Sequence, residues 1–166
     1  MAILGVMNAA QTQALRDLLQ GQRIASLGTL HEGAPCVSMV PFALLPGGSG
    51  FVIHVSRLSS HTRDMLESPR VGLLVVATES PETPAQALAR VTIQGRAEQV
   101  TDPGPGYAPA REAYLSRFPQ AVDMFELSDF SLFALHPTSI RFIGGFAQAE
   151  TLTPEAFANA LSDGPG

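Results

Sequence analysis

Apolar and polar positions along this chain follow two periods, and the switches between them mark its elements. From Ala9 to Gln20 the residues Ala10, Ala14, Leu15, Leu18 and Leu19 share one helical face, and Gly21 supplies a stop. Arg23–Leu30 then takes on strand character. Glu32-Gly33 makes a turn and Cys36–Leu45 is a second strand, so the pair reads as a hairpin. Pro41 falls inside that second run. It has no N–H to give to a ladder, which assigns it to an edge or bulge facing ligand or solvent. Pro46–Gly50 is a turn and Phe51–Val55 a third strand. Ser59–Ser68 reads as a short helix with Ser59 or Ser60 as N-cap, ended by Pro69.

The second half repeats the alternation. Val71–Ala77 is continuously apolar, hence a buried strand, and Glu79–Gln86 is a Pro-rich loop. Val91–Val100 sets Val91, Ile93, Gly95 and Ala97 on one side and Thr92, Gln94, Arg96 and Glu98 on the other, as a half-buried strand does. After a loop at Asp102–Gly106, the residues Tyr107, Ala110, Tyr114, Leu115 and Phe118 form a helical stripe, followed by a shorter helix over Pro119–Phe125. Phe130–Leu135 and Ser139–Ile143 are two more strands, split by His136-Pro137. A last helix spans about residues 153–163, with Thr153 as N-cap and Pro154 in its first turn, and Asp163–Gly166 frays. Short strands, hairpin-length turns and irregularly placed helices predict a mainly β, α+β chain. The expected form is an antiparallel barrel with peripheral helices, not a doubly wound sheet. The 166 residues read as one domain, 1–166, without repeat or linker.

Composition narrows the function classes. Hydrophobic residues make up 45% and charged residues 15%, which is globular and leaves surface for a partner subunit to cover. A net charge of −5 speaks against a broad nucleic-acid surface. All 10 basic residues are arginine. The single cysteine, Cys36, excludes an internal disulfide and a Cys-based metal centre. Met1–Asn8 has no basic leader or cleavage-like site, and no apolar run reaches membrane-spanning length, so a cytoplasmic protein without a membrane partner is expected.

Candidate chemistry concentrates between His54 and Arg63, where a strand leads into a helix. Free N–H groups and the dipole at a helix start suit an anion, and Ser56, Thr62 and Arg63 can donate to phosphate. An ordinary cap with solvated polar neighbours is the competing reading. The histidines show no metal-ligand spacing, so no metal site is expected. No nucleophile elbow, P-loop or dinucleotide fingerprint occurs, and the carboxylates are scattered, so no catalytic residue is assigned. Gly144-Gly145-Phe146 permits close approach to a flat ligand or another chain, or simply ends a strand.

Four segments in order carry a resemblance: Pro35–Ala43, Val55–Leu74, Arg90–Glu98 with its Gly-x-Ala-Glu ending, and Ile140–Ala149. Together they resemble the pyridoxamine 5′-phosphate oxidase-like FMN-binding split barrels, and the last resembles the haem-utilisation branch. The resemblance implies a six-stranded split barrel and a homodimer with FMN at its interface. It would place Ser38, Met39, Val40 and Pro41 along the flavin ring, and Ser56, Leu58, His61, Thr62 and Arg63 at the phosphate and ribityl end. Ser60 and His61 stand where the family carries a basic pair, so Arg63 and Arg90 are the natural replacements. Three functions follow. The first is an FMN-dependent oxidoreductase acting on an unassigned small molecule, with the flavin supplying the redox chemistry. The second is a haem-binding or haem-degrading protein, although no His follows His136 to serve as axial ligand. The third is a non-catalytic flavin-binding protein.

Overall fold

A computed structural model describes residues 6–145 and 148–162. The expected fraying tail, Phe146, and most of Met1–Asn8 lie outside the described residues. The first helix, α1, spans Ala9–Gly21 and buries Leu15, Leu18 and Leu19. Asn8 and Gln11 cap its start reciprocally: each side chain accepts the other's backbone N–H, at 2.9 Å in both directions.

Strands β1 (Ile24–His31) and β2 (Ala34–Pro41) form the expected hairpin, in register from Ile24↔Pro41 to His31↔Ala34. The two-residue turn needs positive φ at both positions, and Glu32 (50°) and Gly33 (81°) supply it. Pro41 ends β2, and after Phe42 the chain resumes as the short β3 (Ala43–Leu44). The single strand expected over Cys36–Leu45 is therefore two. Strand β4 (Phe51–Ser56) leads into α2 (Ser60–Glu67), and β5 covers Arg70–Val76.

Only one face of β5 is buried. Val71, Leu73 and Val75 point into the core while Leu74 and Val76 are exposed. This corrects the expectation of a fully buried strand: the sheet is antiparallel and covers the core on one side only. Strand β6 (Arg90–Val100) alternates as its sequence predicts. Helix α3 (Tyr107–Arg117) follows, and Pro119–Glu126 is a 3₁₀ segment. The Arg117 guanidinium donates to the carbonyls of Leu19, Gln20 and Gln22, closing the free C-terminal carbonyls of α1.

The two strands expected on either side of His136-Pro137 are one, β7, running over Phe130–Gly145. The proline is accommodated by a register shift: Gln94 faces Ser139 and Gly95 faces Pro137, leaving Thr138 as the bulged residue. Gly95 is required here, because a Cβ on it would lie 2.5 Å from the His136 carbonyl oxygen. Strand β8 (Gln148–Leu152) pairs with the end of β7, and α4 (Pro154–Ser162) begins with Thr153 capping the Ala156 N–H at 3.1 Å.

The sheet has eight strands in the order β2-β1-β5-β6-β7-β4-β3, with β8 added on β7, and every pair is antiparallel. It curls into a half-barrel of the split-barrel type. The count exceeds the expected six because β3 and β8 are short additions. Phe42, Phe51, Phe133, Phe142 and Phe157 fill its interior completely buried, each side chain contributing roughly 1.5–3 kcal/mol. A second cluster, including Ala110, Tyr114, Phe118 and Leu132, seats α3 against β4 and β7. No helix among the described residues is long and apolar enough to cross a membrane.

Candidate functional site

Between β2, β4, the start of α2 and the α3–3₁₀ corner lies a pocket of about 340 Å³. Met39, Val40 and Pro41 form one wall, His54, Val55 and Ser56 another, and Tyr114, Phe118, Met124 and Phe130 a third. Ser59 and His61 close it from the helix side. The pocket is mostly apolar with a few convergent polar atoms, the usual make-up of a small-molecule site.

Two imidazoles give it its chemistry. His54 sits mid-strand on β4 and is 6% exposed. Its ring stacks on Phe125 at 3.9 Å and meets Tyr114 and Phe130 at 5.7 and 5.1 Å. Burial pushes its pKa down to about 4, and its Nδ1 is buried without a partner. His61, in the first turn of α2, meets the Ser38 hydroxyl through Nδ1 at 3.1 Å, and its Nε2 is buried and unpartnered. Burial lowers the His61 pKa, opposed by the nearby Asp64 carboxylate. Burial thus favours the neutral form of both rings, and each keeps one buried, unpartnered nitrogen beside a mostly apolar pocket. In the tautomer whose Nδ1–H donates to the Ser38 hydroxyl, the free lone pair of His61 falls on Nε2.

Two hydroxyls of the strand-to-helix junction, Ser56 and Thr62, are committed within the chain, whereas the Ser59 N-cap makes no side-chain cap bond. Ser56 donates to Asp129 Oδ2 at 2.8 Å and accepts the Leu58 N–H at 3.1 Å. Thr62, buried, donates to the Ser56 carbonyl at 2.7 Å. Of the residues singled out in the sequence, Met39, Val40, Pro41, Ser56 and His61 line this pocket. Ser38 joins them through its bond to His61. Leu58 is exposed, and Arg63 is exposed on the flank of α2. Arg90 is turned to the carbonyls of Gln86 and Leu88 at 3.2 and 3.0 Å. Within this chain, neither arginine lines the pocket.

His54, Tyr114, Phe118, Met124 and Phe130 were not chosen from the sequence. His54 offered one signal: a polar residue at an inward position of the apolar run Phe51–Val55. The others read as ordinary core, and only the tertiary fold turns them toward a shared space.

Comparisons with known proteins place this site in context. Residues 11–144 match the family model described as pyridoxamine 5′-phosphate oxidase. The chloroplastic heme oxygenase HOZ of Arabidopsis thaliana is 33% identical over 140 residues, which cover 82% of this chain and 41% of that protein. Heme oxygenase HutZ of Vibrio cholerae is 26% identical over 137 residues, 81% of this chain and 77% of that one. A solved heme binding protein from Mycobacterium smegmatis superposes with a TM-score of 0.80 at 33% identity, over 93% of this chain and 62% of the other. The chain thus spans less than half the length of the plant relative. It belongs to the pyridoxamine 5′-phosphate oxidase family, within its haem-utilisation branch.

Proposed function

We propose that this chain binds haem in the pocket between β2, β4 and α2, with His61 as the iron ligand, and serves haem binding or breakdown. The observation that carries the reading is the buried, unpartnered Nε2 of His61 in an apolar pocket. A histidine that serves as axial ligand must be neutral, with a free lone pair on one ring nitrogen. Its other nitrogen is commonly held by a hydrogen bond that fixes the ring, as Ser38 holds His61 here. Apolar walls from Val40, Pro41, Tyr114 and Phe118 suit the faces of a macrocycle. Bound haem would supply a redox-active iron. The chain's own part is to orient His61, keep it unprotonated and exclude water. The haem-named relatives support the same direction.

The pocket is at the small end for ligand sites, so the reading includes a homodimer in which a second copy completes it. Met39 supports this: it lines the pocket yet is 61% exposed, and it shares the outward sheet face with exposed Ile24, Val37, Leu74 and Val76. A patch of this kind marks an interaction surface.

FMN is the second reading, favoured by the family model. It asks the Ser56–Thr62 junction to hold a phosphate. There the Ser56 and Thr62 hydroxyls are already bonded internally and Asp129 adds a carboxylate, which leaves Ser59 as the pocket-lining hydroxyl for such a group. The absorbance spectrum of the purified protein, titrated with haem and separately with FMN, decides between the two. A saturable Soret band supports the haem reading. A flavin spectrum retained on purification, with no Soret band on haem addition, would replace it.

A further inference from the structure

A second cavity, of about 580 Å³, opens on the outward face of the sheet and shares no lining residue with the imidazole pocket. Its floor is made by Gly28, Gly72 and Gly95 on three neighbouring strands, with Gly28 facing Gly72 and Gly95 facing Val71. Arg70 and Arg96 line the same trough. They are direct partners across the β5–β6 pair, and both are exposed.

Like charges set directly opposite on one face of an antiparallel pair repel and destabilise it. Among the described residues the ion pairs are His31–Asp64 and His136–Glu98, and neither involves these arginines. Glu98, the next outward residue on β6, is held by His136 at 2.8 Å. In a chain of net charge −5, two unneutralised guanidinium groups facing one trough are not a consequence of bulk charge. Gln94 and Thr138 add polar atoms to the wall. Arginine forks match the oxygens of phosphate, and a dianion between two of them turns repulsion into attraction.

We propose that this trough binds a small phosphate monoester, with Arg70 and Arg96 gripping the phosphate and the glycine floor receiving the organic part. The cavity is larger than a phosphate group alone requires, which is why a monoester fits it better than the free ion. The trough shares no lining residue with the imidazole pocket, but Gly28 pairs with Val37 on the same outward face, so the proposal requires that a second copy seated on Val37, Met39 and Leu74 leave Arg70 and Arg96 open.

The test is a titration of isotope-labelled protein with inorganic phosphate and with glycerol phosphate at constant ionic strength, followed by amide NMR. Saturable shifts at Gly28, Gly72 and Gly95 are expected, tighter for the monoester. Arg70→Gln or Arg96→Gln should weaken binding about tenfold, and Arg57→Gln, on the far side of the sheet order, should leave it unchanged. In phosphate-free buffer each single variant should melt at or above the wild type, because the repulsion is gone. Absence of saturable shifts, or an equal loss in Arg57→Gln, would overturn the site. So would variants that alter self-association in sedimentation while phosphate binding stays unchanged, since the arginines would then face a second copy. Equal affinity for the two ligands would keep the arginine grip and overturn the role of the glycine floor.

Discussion

His61 and His31 are both tied to α2, but their surroundings drive them in opposite directions. His61 sits in the helix's first turn, buried against Ser38, and burial lowers its pKa. His31 lies at the exposed end of β1, and its Nδ1 meets Asp64 at 2.7 Å. The hydrogen bond and charge of that carboxylate raise its pKa. Asp64 itself is 1% exposed. Burial alone would raise its pKa, but the bonds from His31 and from Thr29 at 2.8 Å outweigh that and lower it. One eight-residue helix thus separates a nitrogen kept free of protons from one that holds its proton. The difference lies in the neighbours: a hydroxyl and apolar walls in one case, a buried carboxylate in the other. The first arrangement favours the neutral ring that a metal-ligating histidine needs, and the second favours the protonated one.

The largest expected effect comes from pH on the neutral side of this contrast. His54 titrates near 6.5 when unfolded and at about 4 in the fold, so the unfolded chain binds more protons between those values. Stability should therefore fall as pH drops from 6.5 toward 4, by about 3 kcal/mol in total. Urea unfolding at several pH values measures this, and His54→Phe should flatten the dependence. An unchanged slope in that variant would mean that burial does not control His54.

On the charged side, Asp64→Ala should cost about 2 kcal/mol, because it strips the partner from the buried Thr29 hydroxyl and unties α2 from β1. Denaturant midpoints check it, and a loss as small as that of a surface substitution would contradict the role given to Asp64. A smaller effect is expected for Ser38→Ala, which frees the His61 ring. Haem affinity should drop about fivefold with the fold intact, a loss near 1 kcal/mol, read by spectroscopic titration. The smallest is His31→Gln. The His31 contribution is full below pH 6.5 and lost as pH rises through its raised folded value. That alkaline-side decline should vanish in the variant and persist in the wild type.

Much of the architecture was legible because it rests on local rules. The Glu32-Gly33 turn, the alternation of Val91–Val100 and the Thr153 cap need only neighbours along the chain. What escaped the sequence depends on distant partners. The break at Phe42 and the continuity through Pro137 are decided by which strand lies alongside. Val71–Ala77 looked buried on both faces because apolar composition cannot distinguish a core face from an exposed apolar one. The site divides in the same way. Met39–Pro41 and His61, placed by the family resemblance, line the imidazole pocket. Arg63 and Arg90 were chosen for their charge, but their side chains turn elsewhere within this chain. His54 was passed over because its role comes from Tyr114, Phe125 and Phe130, which arrive from other elements.

The most direct measurement is a haem titration of wild-type protein, His61→Ala and His31→Ala side by side, followed by the Soret band and by the spin state in electron paramagnetic resonance. If His61 is the ligand, His61→Ala loses the band position and spin state of the wild type, while His31→Ala keeps both. A wild-type spectrum in His61→Ala would contradict that assignment.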